Sequence, residues 1–296
     1  MDVGLALPTM ADGWSRQTLL DWCRITDEGP FSSISCGERI TFHNVEMIST
    51  LSAAAALTER VRVMVNLAIS PWHSTMLLAK QIATMDMISN GRLDLGLGVG
   101  GREQDYRGVG ASMTARHQRL DDQVAEMRRL WSGQPALPDA PPLGPSVVQP
   151  GGPPLYAGAL GPKATARAAA WATGISGFSL SLDSEEMANA VTLARSVWAD
   201  HDHPSPPRFV VACFAALGVP DAPAVLGEFT RQYMAIFGED WADAMAQAAT
   251  LSGPEPLAVA LDATAASGVI DEVIIVPGTV DPGCAREIAA VVSDRC

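Results

Sequence analysis

The chain has 296 residues, 48% of them hydrophobic, enough for one α/β barrel with a large core or for two small domains. Its formal net charge of −13, from 33 acidic against 20 basic residues, argues against nucleic acid or an anionic membrane as a partner. Five scattered cysteines, Cys23, Cys36, Cys213, Cys284 and Cys296, form no C-x-x-C pair, which points to free thiols in a reducing cytoplasm rather than to zinc or a redox dithiol.

Val3 to Pro8 reads as a buried strand, entered without the basic region of a signal peptide. Arg16 to Glu28 is amphipathic, with Leu19, Leu20, Cys23 and Ile25 as its apolar side. A second strand spans Phe31 to Cys36, followed by the polar Gly37-Glu38-Arg39. Glu46 to Leu57 is helical, with Asn44 as its predicted cap. Val61 to Ile69 is a β-branched strand, Ser74 to Ser89 a Met-rich helix, Leu93 to Gly98 the fourth strand and Ala115 to Trp131 the fourth helix. Prolines and glycines then fill Ser132 to Pro154, which takes no regular core element. Beyond it come a short strand, Leu155 to Gly158, an alanine-rich helix, Lys163 to Thr173, a strand, Ile175 to Leu180, and a helix, Ser184 to His201. The seventh strand, Arg208 to Leu217, precedes three helical segments, Ala222 to Phe237, Asp240 to Leu251 and Glu255 to Ser267. Glu272 to Val276 is the eighth strand, and the helix Cys284 to Val292 follows.

Strands joined by helices run parallel with right-handed crossovers. Eight such units predict a (β/α)8 barrel, one domain over residues 1–296, with residues 132–154 as an insertion loop after the fourth unit. No apolar run reaches the ~20 residues that span a bilayer, so a cytoplasmic protein is expected. The site should lie at the C-terminal ends of the strands, where loops set specificity, and the 132–154 insertion is expected to serve as a lid.

The most informative stretch is Leu93-Asp94-Leu95-Gly96-Leu97-Gly98-Val99-Gly100-Gly101, an alternating strand that ends in glycines. Backbone without side chains lets a flat or phosphorylated ligand lie against it. Gly96, Gly98 and Gly101 fit the dinucleotide fingerprint G-x-G-x-x-G. The residues that follow, 102–110, do not read as a helix start, and no acid stands at the end of a next strand, which disfavours that site. Close strand packing is the bland alternative, and ligand contact is preferred. In the fifth unit Gly158-Ala159-Leu160-Gly161-Pro162-Lys163 places a glycine loop at a strand end and a proline at a helix start. Free N–H groups, the helix dipole and Lys163 suit an anion, with phosphate the natural occupant, against an ordinary turn carrying a surface lysine.

Glu38 and Arg39 at the second strand's end can bind a substrate carboxylate or act as acid and base, against a plain loop salt bridge. Arg102, Glu103, Asp105 and Arg107 form a second charged cluster, against a solvated loop. His73 follows the third strand and is a candidate proton donor or cofactor contact, as is His43 more weakly. His117, His201 and His203 read as solvated, and no two histidines are spaced as metal ligands with a carboxylate.

The run Leu78 to Gly100, with Ser89-Asn90-Gly91-Arg92-Leu93-Asp94-Leu95-Gly96-Leu97-Gly98 at its centre, resembles the signature of the bacterial luciferase-like superfamily of flavin- and deazaflavin-dependent oxidoreductases. Gln149 to Pro154 and the Gly158–Lys163 loop fit as well, in order along the whole chain. The resemblance implies a (β/α)8 barrel with FMN or the deazaflavin F420 at its mouth. The ring would rest on Ala68-Ile69-Ser70, where family members often bend the backbone. Gly98, Val99, Gly100, Gly101 and Arg102 would line its edge or tail, and Gly158 to Lys163 would take its phosphate. The catalytic candidates are Glu38, Arg39, His73 and Glu103.

Gly37-Glu38-Arg39 stands where several members, notably F420-dependent sugar-phosphate dehydrogenases, carry Asp-His. A histidine base is thus missing there, which disfavours sugar-alcohol oxidation. Those members also place a glutamate shortly after the fourth-strand glycines, where this chain has Gly101, with Glu103 two positions on. The expected function is oxidation or reduction of a small organic substrate by hydride transfer or monooxygenation, F420 being preferred over FMN because the resemblance is strongest to compact members. For an acidic tail, Arg102, Arg107, Lys163 and Arg167 are the placed cations. The rival is a non-catalytic flavin-binding relative; nothing positive supports a cofactor-free lyase or isomerase. A homodimer is the assembly considered.

Overall fold

The computed structural model describes residues 1–159, 161–201 and 205–295; Leu160, His203 and Cys296, named above, lie outside them. Eight parallel strands close into one barrel in chain order: β1 (Asp2–Ala6), β2 (Ser33–Cys36), β3 (Arg62–Ile69), β4 (Leu93–Gly98), β5 (Leu155–Ala157), β6 (Gly174–Phe178), β7 (Arg208–Ala215) and β8 (Glu272–Pro277). The closing pair is β1 with β8, from Asp2 opposite Glu272 to Leu5 opposite Ile275. Each strand is followed by at least one helix: α1 (Arg16–Glu28), α2 (Met47–Leu57), α3 (Thr75–Ile88), α4 (Glu103–Gly108), α5 (Arg116–Trp131), α6 (Pro162–Ala168), α7 (Ser184–Asp200), α8 (Ala222–Met234), α9 (Glu239–Ala248), α10 (Pro254–Ser267) and α11 (Pro282–Ser293). Among the described residues no helix is long and apolar enough to cross a membrane.

Local chemistry accounts for the element ends. Ser15 caps α1 in a reciprocal box with Thr18. The helix buries Thr18, Trp22, Cys23 and Thr26, while Leu19, Leu20 and Ile25 are half-buried; the inward stripe is centred one residue away from the apolar side read from sequence. Glu46, not Asn44, caps α2: its carboxylate accepts from the Ile48 and Ser49 N–H groups at 2.9 and 2.7 Å. Asn44 instead donates to the carbonyls of Val45 and Arg39. Residues 103–108 form a short helix after all, because Asp105 and Tyr106 turn inward and anchor it.

The Asn90-Gly91-Arg92 run is structural. Asn90 and Gly91 turn the chain at positive φ. Arg92 then reaches back to the end of α2, donating to the Ala55, Thr58 and Val61 carbonyls and to the Thr58 hydroxyl. It lies at the N-terminal end of β4, opposite the mouth.

The 132–154 segment contains no helix or strand beyond one isolated bridge, Pro135 with Pro142. It does not serve as a lid. It runs from α5 to the start of β5, so it returns along the N-terminal face of the barrel. The buried Asp86 carboxylate accepts from the Val148 and Gln149 N–H groups and from the Gln149 amide at 2.6, 3.0 and 2.8 Å. Gln149 also donates to the Leu93 carbonyl, and Lys80 to that of Gly144.

The excursion at the mouth comes from β7. Helices α8 and α9 pack on each other, whereas α10 takes the place in the outer ring between α7 and α11. Phe214 of β7, Leu226 and Phe229 of α8, and Met10 of the first strand's loop form an apolar cluster separate from the main core.

Inside the barrel, the N-terminal layer is polar. Arg62 pairs with Asp94 through both carboxylate oxygens, and Glu272 accepts from Ser33 and Ser32 at 2.5 and 2.7 Å. Burial, aided by the nearby Asp94, pushes the Tyr156 phenol up to about 12. This layer fills the N-terminal end of the barrel.

Candidate active site at the barrel mouth

Strand β3 breaks register with β4 between Val65 and Ala68, across a cis Asn66–Leu67 peptide. The bend thus precedes Ala68-Ile69-Ser70, the position inferred from resemblance. Asn66 turns into the barrel, and its side-chain oxygen accepts from the Ser176 hydroxyl at 2.7 Å. Leu67 turns onto the glycines of the next two strands. A Cβ on Gly158 would stand 2.3 Å from Leu67 Cδ1, and one on Gly96 2.7 Å from Leu67 Cδ2. A Cβ on Gly98 would stand 3.1 Å from Leu67 Cδ1. These glycines therefore make room for a leucine, a close-packing role weighed above as the bland alternative. Gly101 and Gly161 differ: nothing lies within 4 Å of a Cβ built on either, and both are exposed.

Beyond the bend, Ala68 and Ser70 are buried and Ile69 is half-buried. Glu38, at the end of β2, accepts from the Ile69 N–H at 2.7 Å. Its two oxygens lie 2.9 and 3.1 Å from His73 Nε2, and its side chain is 4% exposed. Trp72 Nε1 also stands 3.1 Å from that nitrogen. One ring nitrogen cannot accept from Trp72 and donate to Glu38 together. With Glu38 ionised it must carry a proton for the carboxylate; with Glu38 protonated it can accept. Nε2 therefore serves Trp72 or Glu38, one at a time. Helix α5 holds the pair in position: Gln123 accepts from Ser70 and, with Arg119, donates to the His73 carbonyl.

Arg39 is 7% exposed. Its guanidinium lies over the Phe42 ring at 4.2 Å and the Tyr233 ring at 5.6 Å, with Nε 3.6 Å from Asp105. Its Nε and Nη1 have no hydrogen-bond partner. Burial and the neighbouring Arg102 charge hold it below the usual arginine range, against the pull of Asp105. Burial pushes the Asp105 carboxyl upward, but bonds from Thr41 and Ile40 and the Arg39 charge outweigh it and hold the group low. Arg102 lies over the same Tyr233 ring at 4.8 Å and over Phe237 at 5.3 Å.

The other predicted residues separate. Glu103 and Arg107 are exposed on α4, whereas Asp105 of the same cluster is buried. Val99 and Gly100 are half-buried, and the Val99 carbonyl accepts from the Tyr106 hydroxyl at 2.6 Å. Gly158 and Ala159 are half-buried; Gly161, Pro162 and Lys163 are exposed, and α6 ends at Ala168, short of the predicted Thr173. A cleft lined by Val99, His117, Gly158, Ala159 and Arg167 joins the two glycine loops. Arg167 is paired with Asp121. His43 meets the Met10 carbonyl and Asp12 at the surface. Sequence reading missed Asn66, Leu67, Tyr233 and the inward turn of Asp105. The only local signal was Asp105-Tyr106, an acid beside a large aromatic.

A luciferase-like monooxygenase family model matches residues 1–293. The oxygenase component of a flavin-dependent trigonelline monooxygenase from Acinetobacter baylyi is 28% identical over 120 residues, 39% of this chain and 33% of that protein. The curated relatives are thus matched over about a third of their own length. Among solved structures, a monooxygenase from Streptomyces bottropensis superposes with a TM-score of 0.79 at 19% identity, covering 100% of this chain and 99% of the other. The coenzyme F420-dependent tetrahydromethanopterin reductase from Methanopyrus kandleri gives 0.73 at 15% identity, covering 99% of each chain. The match to nearly the whole chain and the closed barrel lead to one conclusion: the protein belongs to the luciferase-like monooxygenase family.

Proposed function

We propose that the chain is a flavin- or deazaflavin-dependent oxidoreductase that acts on a small organic substrate by hydride transfer or monooxygenation. The observation that carries this is the pair of a buried Glu38 carboxylate and a half-buried His73, clamped by α5 beside the bend in β3. Half-buried Leu67 and Ile69 offer an apolar platform for a flat ring. Open space at Gly101 and Gly161, with exposed Lys163 beside the latter, suits a polar tail and phosphate.

A flavin or deazaflavin held there would supply the electron chemistry, and the protein the positioning. Ala68, Ile69 and Ser70, with Leu67, would hold the ring; Gly98 to Gly101 its edge; Gly158 to Lys163 its phosphate. Glu38 and His73 would hold or deliver the proton at His73 Nε2. Arg39 would face the substrate. Glu103 is the more distant acid candidate, exposed on α4.

F420 is the preferred cofactor, on the resemblance to compact members of the superfamily. The net charge of −13 opposes capture of its acidic tail, and Arg167 is already paired. Titration of the protein with FMN and with F420, read by absorbance near ~450 and ~420 nm, tests both levels. Perturbation of either chromophore is expected. Tighter binding of FMN overturns the preference, and binding of neither overturns the oxidoreductase reading.

A further inference from the structure

At the mouth neither Arg39 nor Arg102 has a full set of hydrogen-bond acceptors. Arg39 and Arg102 flank one Tyr233 ring, at 5.6 and 4.8 Å. Asp105 is the carboxylate facing Arg39, 3.6 Å away, and its Oδ1 is already engaged by Thr41 and Ile40. Glu38 is committed to Ile69 and His73. Among the described residues no carboxylate lies within ion-pairing distance of Arg102, whose one hydrogen bond is a 3.4 Å contact to the Tyr233 carbonyl. The Arg39 side chain is 4% exposed, yet its Nε and Nη1 are unpartnered, as is Arg102 Nε. Buried guanidinium N–H groups left without acceptors are costly, and such groups persist where a ligand completes them.

The walls around them are aromatic. Phe42 and Tyr233 meet edge to face at 6.5 Å, Tyr233 and Phe214 at 5.3 Å, and Phe214 and Phe178 at 4.7 Å. Such walls favour a flat apolar body, and guanidiniums favour a carboxylate, which they grip by two parallel N–H bonds. Building on the oxidoreductase reading of the mouth, we propose that Arg39 and Arg102 bind the carboxylate of an aromatic organic acid, the substrate class of this enzyme. The aromatic body would lie along Phe42, Tyr233 and Phe214. Asp105 is a positioning residue that orients Arg39.

The probes are benzoate and its neutral isostere benzamide, measured by calorimetry or saturation-transfer NMR on the full chain. Benzoate should bind saturably and at least tenfold more tightly than benzamide. Arg39→Gln and Arg102→Gln should each weaken benzoate at least tenfold and leave benzamide unchanged. Arg39→Lys should recover only part of the loss, because a point charge replaces a fork. Equal binding of the two probes by the wild-type protein, or no saturable benzoate binding, overturns the proposal without any variant having to fold. Competitive displacement of benzoate by FMN or F420 also overturns it, since the arginines would then hold the cofactor's own acidic tail. Discrimination for benzoate in a protein that binds neither cofactor supports the clamp and removes the oxidoreductase reading instead.

Discussion

Two long connections interrupt the regular alternation of strand and helix, and they sit at opposite ends of the barrel. Residues 132–154 are rich in proline and glycine and look like a lid in the sequence. They follow a helix, so they return to the N-terminal face, where Asp86 holds them against the start of β4. Residues 216–253 look like ordinary helices in the sequence. They follow a strand, so they rise over the mouth, and their Tyr233 lies beside both Arg39 and Arg102. Side of the barrel follows from what precedes a segment, not from its composition. Helix-to-strand connections carry stability and strand-to-helix connections carry function.

That division is sharpest at Glu38 and His73. Glu38→Gln or His73→Asn should slow substrate-dependent turnover of the reduced cofactor by ~10²–10⁴-fold, the range for a lost acid or base. Cofactor affinity should stay within about twofold, well under the tenfold that ~1.4 kcal/mol represents. Single-turnover rates equal to wild type in both variants would reduce the pair to a loop contact.

The opposite face should show the reverse pattern. Asp86→Ala strips acceptors from three donors of the 148–149 segment. A loss of about 3 kcal/mol in unfolding free energy is expected. The folded fraction should keep wild-type cofactor affinity. A drop in turnover per folded molecule would mean that this segment communicates with the mouth.

Glycines at the join between the two ends separate packing from binding. Gly158→Ala forces a methyl against Leu67 Cδ1 and should destabilise by about 1–3 kcal/mol. Leu67→Ala in the same chain should relieve the overlap. A Cβ on Gly96 would stand 2.5 Å from the Val65 carbonyl oxygen, and truncating a side chain cannot relieve that contact. Gly96→Ala should therefore stay destabilised in the Leu67→Ala background, and a double-mutant cycle reads the difference. Equal rescue of both would contradict the packing geometry.

The smallest effect is expected at Gly161, where φ is +79° and the surroundings are open. Gly161→Asp should weaken cofactor binding at least tenfold, about 1.4 kcal/mol, by placing charge beside a phosphate. Gly161→Ala carries the same backbone strain without the charge and is the control. Equal dissociation constants for Asp and wild type would remove the phosphate from this loop.

Much of the frame was legible locally. Helix α1 and strand β4 match their sequence bounds, Arg16–Glu28 and Leu93–Gly98, at both ends. Glu38 and Arg39 lie just beyond the end of β2, a position that the order of strands along the chain already gives. The pairing of Glu38 with His73 was not legible, because it joins different strand ends 35 positions apart. Nor was the use of Gly96 and Gly158, since it depends on a register shift in β3 that redirects Leu67.

By itself the sequence determined the kind and order of the eight strands and of every helix but α4, and hence a closed parallel barrel. Periodicity, caps and turn residues act within a few positions, so they can be read along the chain. The tertiary structure decided which charges are buried, which find partners and which segment covers the mouth. Asp105 and Glu103 are two residues apart, yet one is locked under Thr41 and the other is solvated. The difference arises from contacts between segments distant in sequence, which no local pattern encodes.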